Sequence, residues 1–462
     1  MQTFESRIKE QSWCLGGYDQ EAFVKLLKER DMPRPLWARR PMTDSGEILL
    51  RNVCEAAEKS PADAFCIYTH VPYCRTRCGY CDCYSFPLTP SRMPELPVYT
   101  DLLCREIAWW GKNVPVLTTK RLSTVHFGGG TPLMIGTDGL RKVLETIRKF
   151  FKVNENTELA LESTSSDLNE KVLDELWNMG FTRLHVGVQT LCDPIRKAVG
   201  RKETSRTVLE KLRYAVEKGW IVSTDVIIGL PGYTEKEIQK DITKMETAGV
   251  EGFSIYELVR SPRNRAFFEY HNILDPDMEA MWRQFQYAFW MAEKLGYHHL
   301  IYNHMVKGRD DNRYFTSPAR GEDLLSFGTI ADGYFGDYLY RHGELDQYRT
   351  GIEAGKPGLS GGLCRTAEES SYARLEREIR GGNPDPAVFI NTLGVSKAFQ
   401  LFQTWLSHGY MRIDRNGDSA ELLPNGSWFI QKMLNDISEI LSAPDDPSVI
   451  SSIQTILSDH KE

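Results

Sequence analysis

The sequence lacks long apolar runs and any excess of basic charge. Its 462 residues include 56 Lys and Arg against 63 Asp and Glu, which gives a formal net charge of -7. Non-specific binding of nucleic acid needs a basic face, so this balance argues against it. A membrane-spanning helix needs about 20 consecutive apolar residues, and the first residues, MQTFESRIKEQSW, lack the apolar core of a signal peptide. We therefore expect a cytoplasmic protein with no membrane span and no nucleic-acid partner.

The sequence also lacks the features of a disulfide-stabilised protein, although it contains 10 cysteines. Long cytosolic chains keep their thiols reduced, and a tight group of cysteines in such a chain more often binds metal. Four cysteines fall within CRTRCGYCDC, residues 74–83. We interpret the others as buried or incidental: Cys14, Cys54, Cys66, Cys104, Cys192 and Cys364.

From residue 65 onward, short β-rich runs alternate with longer amphipathic runs. The pattern predicts helices between strands, as at 97–112 and 139–151, and strands at 65–70, 122–127, 157–163, 182–189, 222–230 and 252–258. Strands separated by helices indicate βαβ units in a parallel sheet, and at least six units fit between 65 and 305. Open parallel sheets and βα barrels both place their chemistry at the carboxyl ends of the strands.

The chain divides into four predicted parts: an N-terminal extension (1–60), the βα region (61–305), a covering segment (306–365) and a mostly helical C-terminal domain (366–462). The extension is expected to be irregular, with Pro33, Pro35 and Pro41 around Trp37. The glycine- and aromatic-rich run 317–342 is more typical of a cover than of a sheet. Residues 399–434 predict a helix, a small hairpin and a helix, which suits either a winged-helix module or a packing appendage.

The cysteine spacing points to a cluster of iron and sulfur. Cys74, Cys78 and Cys81 form C-x3-C-x2-C, with Cys83 directly after. Zinc sites pair two C-x2-C knuckles far apart in sequence, and no second knuckle is present. Bacterial ferredoxins need a longer four-cysteine run, which is also absent. Three thiolates on one loop after a strand can hold three irons of a four-iron cluster, which leaves the fourth iron open to a non-protein ligand.

Polar and glycine residues follow the other predicted strands. HFGGGTP (126–132) ends the second strand, where its glycines let the backbone approach a ligand and expose N–H groups. Glu162, Gln189 and Asp225 belong to the next three strands, and Arg201 follows Gln189. In a parallel sheet these side chains are expected at one rim. The glycines concerned are Gly128, Gly129 and Gly130.

The C-x3-C-x2-C motif, with the aromatic Tyr80 just before its last cysteine, resembles the hallmark of the radical S-adenosylmethionine (SAM) enzymes. In that family the open iron binds SAM, and an electron from the four-iron four-sulfur (4Fe-4S) cluster cleaves SAM to a 5'-deoxyadenosyl radical. The resemblance implies an α/β fold built as a partial (βα)6 barrel. It also implies an electron donor such as flavodoxin or ferredoxin, and an anaerobic setting. We expect a monomer.

A narrower resemblance rests on YTHVPYCRTRCGYCDC, HFGGGTP, GVQ, GLP and SIYEL, from about Phe65 to Asp337. Together they resemble the subgroup of oxygen-independent coproporphyrinogen III oxidases, haem chaperones and class C radical SAM methyltransferases, members of which hold two SAM molecules. The resemblance implies that the cluster-bound SAM contacts Tyr68, Gly129 and Glu162. It implies that a second SAM contacts Tyr80, Gly130, Thr131, Gln189, Arg201, Asp225 and Val259.

Our preferred interpretation is a class C enzyme that transfers a SAM-derived one-carbon unit to an sp2 carbon of a small-molecule or peptide-linked substrate, by methylation or cyclopropanation. The alternatives are oxidative decarboxylation of coproporphyrinogen III, anaerobic haem degradation by a methyltransferase, and a haem chaperone without turnover. Basic residues that would suit propionates, or simply a solvated surface, are Arg39, Arg40, Arg260, Arg263, Arg265 and Arg320.

The candidate catalytic residues are Cys83, Tyr256 and Glu257. The oxidases share the C-x-C that Cys83 completes, and its thiol would donate hydrogen or acid; a small residue that packs the loop is the alternative. Tyr256 and Glu257 would face the substrate, as would Tyr302 and His304. For these residues an ordinary buried polar role is the competing interpretation.

Overall fold

The computed structural model describes residues 3–16, 20–28, 40–270, 272, 277–414, 416–417 and 419–444. The predicted proline stretch at 33–37, Arg39 and residues 445–462 of the C-terminal domain lie outside these ranges, as does the side chain of Cys14. No helix in the described ranges is long and apolar enough to cross a membrane.

Strands and helices alternate through the middle of the chain. The strands are β1 (Ala64–Val71), β2 (Tyr73–Cys74), β3 (Phe86–Pro87), β4 (Arg121–Gly129), β5 (Glu158–Thr164), β6 (Arg183–Gln189), β7 (Ile221–Ile228), β8 (Gly252–Glu257), β9 (His298–Ile301), β10 (His304–Val306), β11 (Asp323–Phe327), β12 (Asp332–Phe335), β13 (Tyr338–His342), β14 (Leu359–Cys364), β15 (Met411–Ile413) and β16 (Ala420–Leu422). The helices are α1 (Phe4–Gly16), α2 (Gln20–Lys28), α3 (Gly46–Lys59), α4 (Glu95–Asn113), α5 (Pro115–Thr119), α6 (Gly136–Phe150), α7 (Glu170–Asn178), α8 (Asp193–Ala198), α9 (Ser205–Lys218), α10 (Glu235–Thr247), α11 (Arg265–Tyr270), α12 (Met278–Lys294), α13 (Arg313–Thr316), α14 (Leu345–Glu353), α15 (Ala367–Arg380), α16 (Pro386–Leu393), α17 (Val395–Ser407), α18 (Pro424–Trp428) and α19 (Ile430–Ser442).

Strands β1, β4, β5, β6, β7 and β8 lie side by side and are all parallel, so the predicted α/β partial (βα)6 barrel is confirmed. Parallel strands are covered by helices, and β1 accordingly buries Phe65 and Ile67 completely on its outer face. Alternate residues such as Tyr68 point to the other face, where Tyr68 stacks on His126 of the neighbouring β4. This inner face carries the site.

The expectation that 306–365 only covers the barrel is wrong. Strand β11 pairs in parallel with β1, and β12, β13 and β14 continue the same sheet in antiparallel order. The glycines and aromatics there are cross-strand partners: Gly333 lies opposite Tyr340, and a Cβ at Gly333 would stand 2.3 Å from the Tyr340 ring. An aromatic that covers a glycine stabilises a strand pair that composition alone disfavours. The domain boundaries themselves stay predictions.

The described part of the N-terminal extension is mostly helical, in α1, α2 and α3, which corrects the expectation of an irregular segment except at residues 40–45. Phe4 of α1 packs edge-on against Tyr287, and Phe23 of α2 against Trp282, at 4.8 and 5.1 Å between ring centroids. The local helix signals of α1 and α2 are weak, so packing on α12 stabilises these helices. In the C-terminal domain, α17, the β15–β16 hairpin and α18–α19 follow the predicted helix–hairpin–helix order.

Candidate functional site

A cavity of about 250 Å³ opens at the carboxyl ends of β4 to β7, and it brings together residues from six separate stretches of the chain. Parallel strands place such ends on one rim, as the sequence predicted. The cavity is lined by these predicted residues: Cys74, Cys78, Cys81, Cys83, Tyr80, Gly129, Gly130, Thr131, Glu162, Gln189, Arg201 and Asp225.

The cysteine loop is held in place by the segments around it. The Gly79 N–H donates to the Val199 carbonyl at 3.1 Å, and a Cβ at Gly79 would stand 2.0 Å from the Phe267 ring. The Asn264 amide donates to the carbonyls of both Tyr80 and Val259, at 3.0 and 2.9 Å. Asn264 is only 3% exposed, so it fixes the loop against the end of β8.

Cys83 contacts the last cysteine of the motif. The hydrogen bond between the two side chains lowers the pKa of the Cys81 thiol. Burial raises this pKa and a second hydrogen bond to the Cys83 backbone lowers it, so that the net effect is a lower pKa. The same hydrogen bond raises the pKa of Cys83. These opposite pKa shifts favour a Cys81 thiolate that accepts from a Cys83 thiol. A thiolate is the form that binds iron.

The glycine turn packs directly on the strand that leads into Cys74. The Gly130 and Thr131 N–H groups donate to the carbonyls of Val71 and Tyr73, both at 2.8 Å. A Cβ at Gly130 would stand 2.6 Å from the Tyr73 oxygen and 3.0 Å from the Cys74 sulfur. Any larger residue at Gly130 would therefore displace the first cysteine of the motif.

Glu162 is an anion on the cavity wall. His126 Nε2 donates to Glu162 Oε1 at 2.8 Å. Burial alone would raise the pKa of the Glu162 carboxyl, but the hydrogen bond with His126 holds it below its ordinary value. A Cβ at Gly128 would stand 2.9 Å from this carboxyl group, so Gly128 makes room for it.

Asp225 is held by a histidine that the sequence analysis missed. His185 Nε2 donates to Asp225 Oδ1 at 2.7 Å, and His185 Nδ1 shares a hydrogen bond with Ser223 Oγ at 2.8 Å. Gln189 Nε2 lies 3.5 Å from Asp225 Oδ2. Burial would lower the pKa of the His185 imidazole, but the Asp225 carboxylate raises it above its ordinary value. The regular alternation of β6, which points His185 and Gln189 to the same face, was the available signal.

Gln189 and Arg201 lie over a glycine. Gln189 has φ of 61° at a register shift in the sheet, a strained conformation for a residue with a side chain. A Cβ at Gly187 would stand 2.8 Å from Gln189 Nε2 and 3.0 Å from Arg201 Nη2. Arg201 Nη2 also donates to the Tyr80 hydroxyl at 2.5 Å. The GVQ motif thus places an amide and a guanidinium beside the cysteine loop.

Several buried polar atoms of this cavity have no hydrogen-bond partner among the described residues. They include Gln189 Oε1, Arg201 Nε and Arg196 Nη2. Gln189 is 3% exposed and Arg196 is 1% exposed. Buried polar groups in native proteins are normally paired, so these atoms point to a polar ligand. Arg196, which sequence reasoning missed, otherwise donates to backbone carbonyls of the same loop.

The donor set fits a 4Fe-4S cluster with SAM. In the described part of the chain no three His, Cys, Asp or Glu side chains converge on a point that would hold a single metal ion. A cubic cluster places each cysteine on a different iron, so its three sulfurs need only surround one space. Cys74, Cys78 and Cys81 line that space, next to the unpaired polar atoms that a zwitterion such as SAM would satisfy.

Seven of the predicted site residues do not line the cavity: Tyr68, Gly128, Tyr256, Glu257, Val259, Tyr302 and His304. Tyr68 lies behind the cavity, where its ring stacks on His126 and its hydroxyl forms a hydrogen bond with His70 Nδ1 at 3.1 Å. Tyr256 is 36% exposed at the end of β8. Val259 contributes a backbone carbonyl to the Asn264 anchor. His304 is fully buried between Ser254 and Asp310, which favours the structural interpretation for it.

The His185–Asp225 pair predicts a pH dependence of stability. Because the folded pKa of His185 is raised, the pair stabilises the folded state fully below the ordinary histidine pKa of about 6.5. This stabilisation is lost as the pH rises through the raised value. We expect H185N to lower the thermal midpoint more at about pH 6 than at about pH 9. A loss that is equal at both pH values would contradict a charged pair.

The comparisons agree with this geometry. A family model described as the radical SAM superfamily matches residues 68–245. The heme chaperone HemW of Bacillus subtilis (strain 168) is 26% identical over 277 residues, 58% of this chain and 70% of that protein. Anaerobilin synthase of Escherichia coli O157:H7 is 24% identical over 390 residues, 82% of this chain and 85% of that protein.

Oxygen-independent coproporphyrinogen III oxidase of Escherichia coli (strain K12) is 24% identical over 332 residues, 68% of this chain and 71% of that protein. The solved structure of the Escherichia coli oxidase covers 90% of this chain and 98% of its own, at 20% identity and a TM-score of 0.75. At that identity the likeness shows the fold. The chain therefore contains a radical SAM domain, in a fold similar to that of coproporphyrinogen III oxidase.

Proposed function

We propose that the protein is a radical SAM enzyme that acts on a tetrapyrrole. One observation carries the radical SAM part: three cysteines on one loop share a cavity with the polar side chains of Glu162, Gln189, Arg201 and Asp225. The tetrapyrrole part is supported by the names of the relatives, which include an oxidase of coproporphyrinogen III and a heme chaperone.

Each part of the cavity has a task in this proposal. Cys74, Cys78 and Cys81 would hold the 4Fe-4S cluster, which supplies the electron that cleaves SAM and so generates a hydrogen-abstracting radical. Glu162 and the turn at Gly129, where no side chain blocks a close approach, would orient the cluster-bound SAM. The Cys83 thiol, beside Cys81, would donate hydrogen or acid. Tyr256 and Glu257, at the end of β8, would face the substrate. A low-potential donor such as flavodoxin or ferredoxin and the exclusion of oxygen would be required, with the protein acting as a monomer in the cytoplasm.

The second half of the cavity would hold a second SAM. Arg201 and Asp225 offer one positive and one negative group close enough for their charges to interact, with the Gln189 amide beside Asp225. A zwitterion needs this combination. Tyr80, Gly130, Thr131 and the backbone near Val259 would complete the site.

The relatives favour oxidative decarboxylation of a porphyrinogen propionate over our first preference, one-carbon transfer to an sp2 carbon. These relatives include an oxygen-independent coproporphyrinogen III oxidase and a heme chaperone. The one-carbon alternative is supported by the Arg201–Asp225 half of the cavity, and anaerobilin synthase is similar over most of both chains. The chaperone alternative is supported by HemW, although Cys83 completes the C-x-C that our sequence interpretation associates with the oxidases.

Product analysis separates these reactions. Reconstituted, reduced protein would be incubated with SAM and either coproporphyrinogen III or haem. Formation of 5'-deoxyadenosine with carbon dioxide supports decarboxylation, and 5'-deoxyadenosine with S-adenosylhomocysteine supports one-carbon transfer. Stoichiometric haem retention with neither product supports the chaperone. Formation of 5'-deoxyadenosine with no effect of either tetrapyrrole would contradict the proposed substrate class.

The second SAM site is tested by D225N and R201K. D225N removes a negative charge from the second half of the cavity, and R201K removes the bidentate geometry of a guanidinium. We therefore expect each change to reduce substrate turnover at least tenfold, which corresponds to about 1.4 kcal/mol of lost binding free energy. D174N is a matched control, because Asp174 pairs with Lys218 on the outer helices. Wild-type turnover in both variants would contradict the assignment.

A further inference from the structure

The barrel is open on one side, and α15 spans the opening. The sheet runs from β14 at one edge to β9 at the other, and these two edges do not pair with each other in the described chain. A two-residue connection separates β14 from helix α15. The carbonyl of the last residue of α15, Arg380, accepts from the Tyr302 N–H at 2.9 Å, next to β9. The side chains of α15 and of the residues before it therefore border the gap between these two edges, which we call the lateral entrance.

The inner face of the sheet leads from the site to this entrance. Tyr314 stacks on His126 and on Tyr68, with ring centroids at 4.4 and 5.2 Å. Tyr334 of β12 lies close enough to Tyr314 for their charges to interact. Its hydroxyl is buried and has no hydrogen-bond partner among the described residues. A row of tyrosines thus runs from behind Glu162 to the entrance.

Arg365 lies at the end of this row. Its guanidinium is 5.9 Å from the centroid of the Tyr334 ring, and its side chain is 11% exposed. Nη1 donates to the Gly336 carbonyl at 3.1 Å, and the same nitrogen is 3.6 Å from the carboxylate of Asp337, which is 54% exposed. The buried Nε has no partner within the described ranges. Arg365 is therefore incompletely neutralised.

Arg377 of α15 adds a second charge. Its guanidinium makes no ion pair or hydrogen bond within the described part of the chain, although it is half-buried. Burial lowers the pKa of Arg377, and the neighbouring Arg365 and Arg374 lower it further, while Tyr334 and Asp337 offset only part of this effect. Glu369, a second carboxylate close enough to Arg365 for their charges to interact, is already bound by Arg40 at 2.7 Å. Positive charge therefore exceeds negative charge here, which costs free energy unless an anion binds.

We propose that Arg365, Arg377 and the Tyr334 hydroxyl form a carboxylate-binding site at the lateral entrance, which takes a carboxylate side chain of the substrate. The site rests on the proposed function for the identity of that substrate, a tetrapyrrole with acidic side chains. Two guanidinium groups and a hydroxyl match the acceptors of a carboxylate. The ring of the ligand would then lie along Tyr334 and Tyr314.

The test uses full-length reconstituted protein and two probes, coproporphyrin III and its tetramethyl ester, titrated by quenching of protein fluorescence. We expect wild type to bind the free acid more tightly than the ester. R365Q and R377Q should each weaken binding of the acid by about tenfold or more and leave binding of the ester unchanged. Y334F should weaken the acid less, because it removes a neutral hydrogen bond.

R206Q is the matched control, since Arg206 is 88% exposed on the outer helix α9. This variant should bind both probes like wild type. R365K and R377K, which keep the charge, should recover part of the affinity, whereas a misfolded variant would not be recovered. Equal binding of acid and ester by wild type, or wild-type binding by both glutamine variants, would overturn the site. SAM cleavage by wild type is measured in parallel: cleavage without preferential acid binding overturns only the carboxylate site. If wild type binds the acid preferentially and the variants lose this preference, but wild type does not cleave SAM, the result supports the carboxylate site and contradicts the proposed enzyme activity.

Discussion

Replacement of Cys78 by alanine is expected to abolish both cluster binding and formation of 5'-deoxyadenosine. Cys78 is one of three thiols around the space beside Glu162 and Arg201, and a four-iron cluster with an open iron has no spare protein ligand. The measurements are iron and sulfide content after anaerobic reconstitution and the yield of 5'-deoxyadenosine with a chemical reductant. We expect the yield to fall to background.

C104A is the matched control for this change. Cys104 lies on α4, away from the cavity, where burial raises the pKa of its thiol. We expect it to keep full cluster content and SAM cleavage. A C78A protein that retains a complete cluster and cleaves SAM would show that the motif is not the cluster site. Circular dichroism of both variants excludes general unfolding as the cause.

Replacement of Arg183 by methionine is expected to lower the free energy of unfolding by about 3–5 kcal/mol, because it leaves a buried carboxylate without its partner. Arg183 and Asp310 form an ion pair inside the barrel with side chains 1% and 0% exposed. Burial alone would raise the pKa of Asp310, but Arg183 and His304 hold it well below its usual range. Asp310 therefore stays charged near neutral pH, and in the variant only the hydrogen bonds from His304 and the Asn312 N–H remain to offset its desolvation.

Urea unfolding followed by tryptophan fluorescence measures this loss. R206M serves as the control, because the Arg206–Glu210 pair is exposed on α9 and such pairs contribute little. The buried Arg183–Asp310 pair also affects the site, since Arg183 donates to Ser223 at 2.9 Å and Ser223 contacts His185. R183M should therefore weaken SAM-dependent turnover as well. An unchanged midpoint would contradict a structural role for the pair.

The barrel could be predicted because its strands and helices carry strong local periodicity. Runs such as LSTVHF and TELALES are short, apolar and bounded by turns, and each became a strand within two residues of its predicted limits at either end. The antiparallel strands β11 to β14 could not be recognised, because they are short and depend on pairs such as Gly333 with Tyr340. Helices α1 and α2 likewise depend on distant aromatic contacts.

The site could be predicted where spacing is diagnostic. The cysteine motif, the glycine turn and the polar strand ends meet in one cavity. His185, Arg196 and Asn264 were missed because a single polar residue within an apolar run has no distinctive spacing. Their contacts arise only when β6, its following loop and the segment after β8 come together. Excess charge at Arg365 and Arg377 is equally invisible, since it depends on which carboxylates lie nearby.

The most direct test of the central claim is electron paramagnetic resonance of the anaerobically reconstituted, reduced protein before and after addition of SAM. The claim is that Cys74, Cys78 and Cys81 hold a cluster with one open iron next to a SAM-binding cavity. It predicts about four irons per chain and a reduced-cluster signal that changes when SAM binds the open iron. Zinc, the absence of iron, or a cluster signal that SAM leaves unchanged would contradict it.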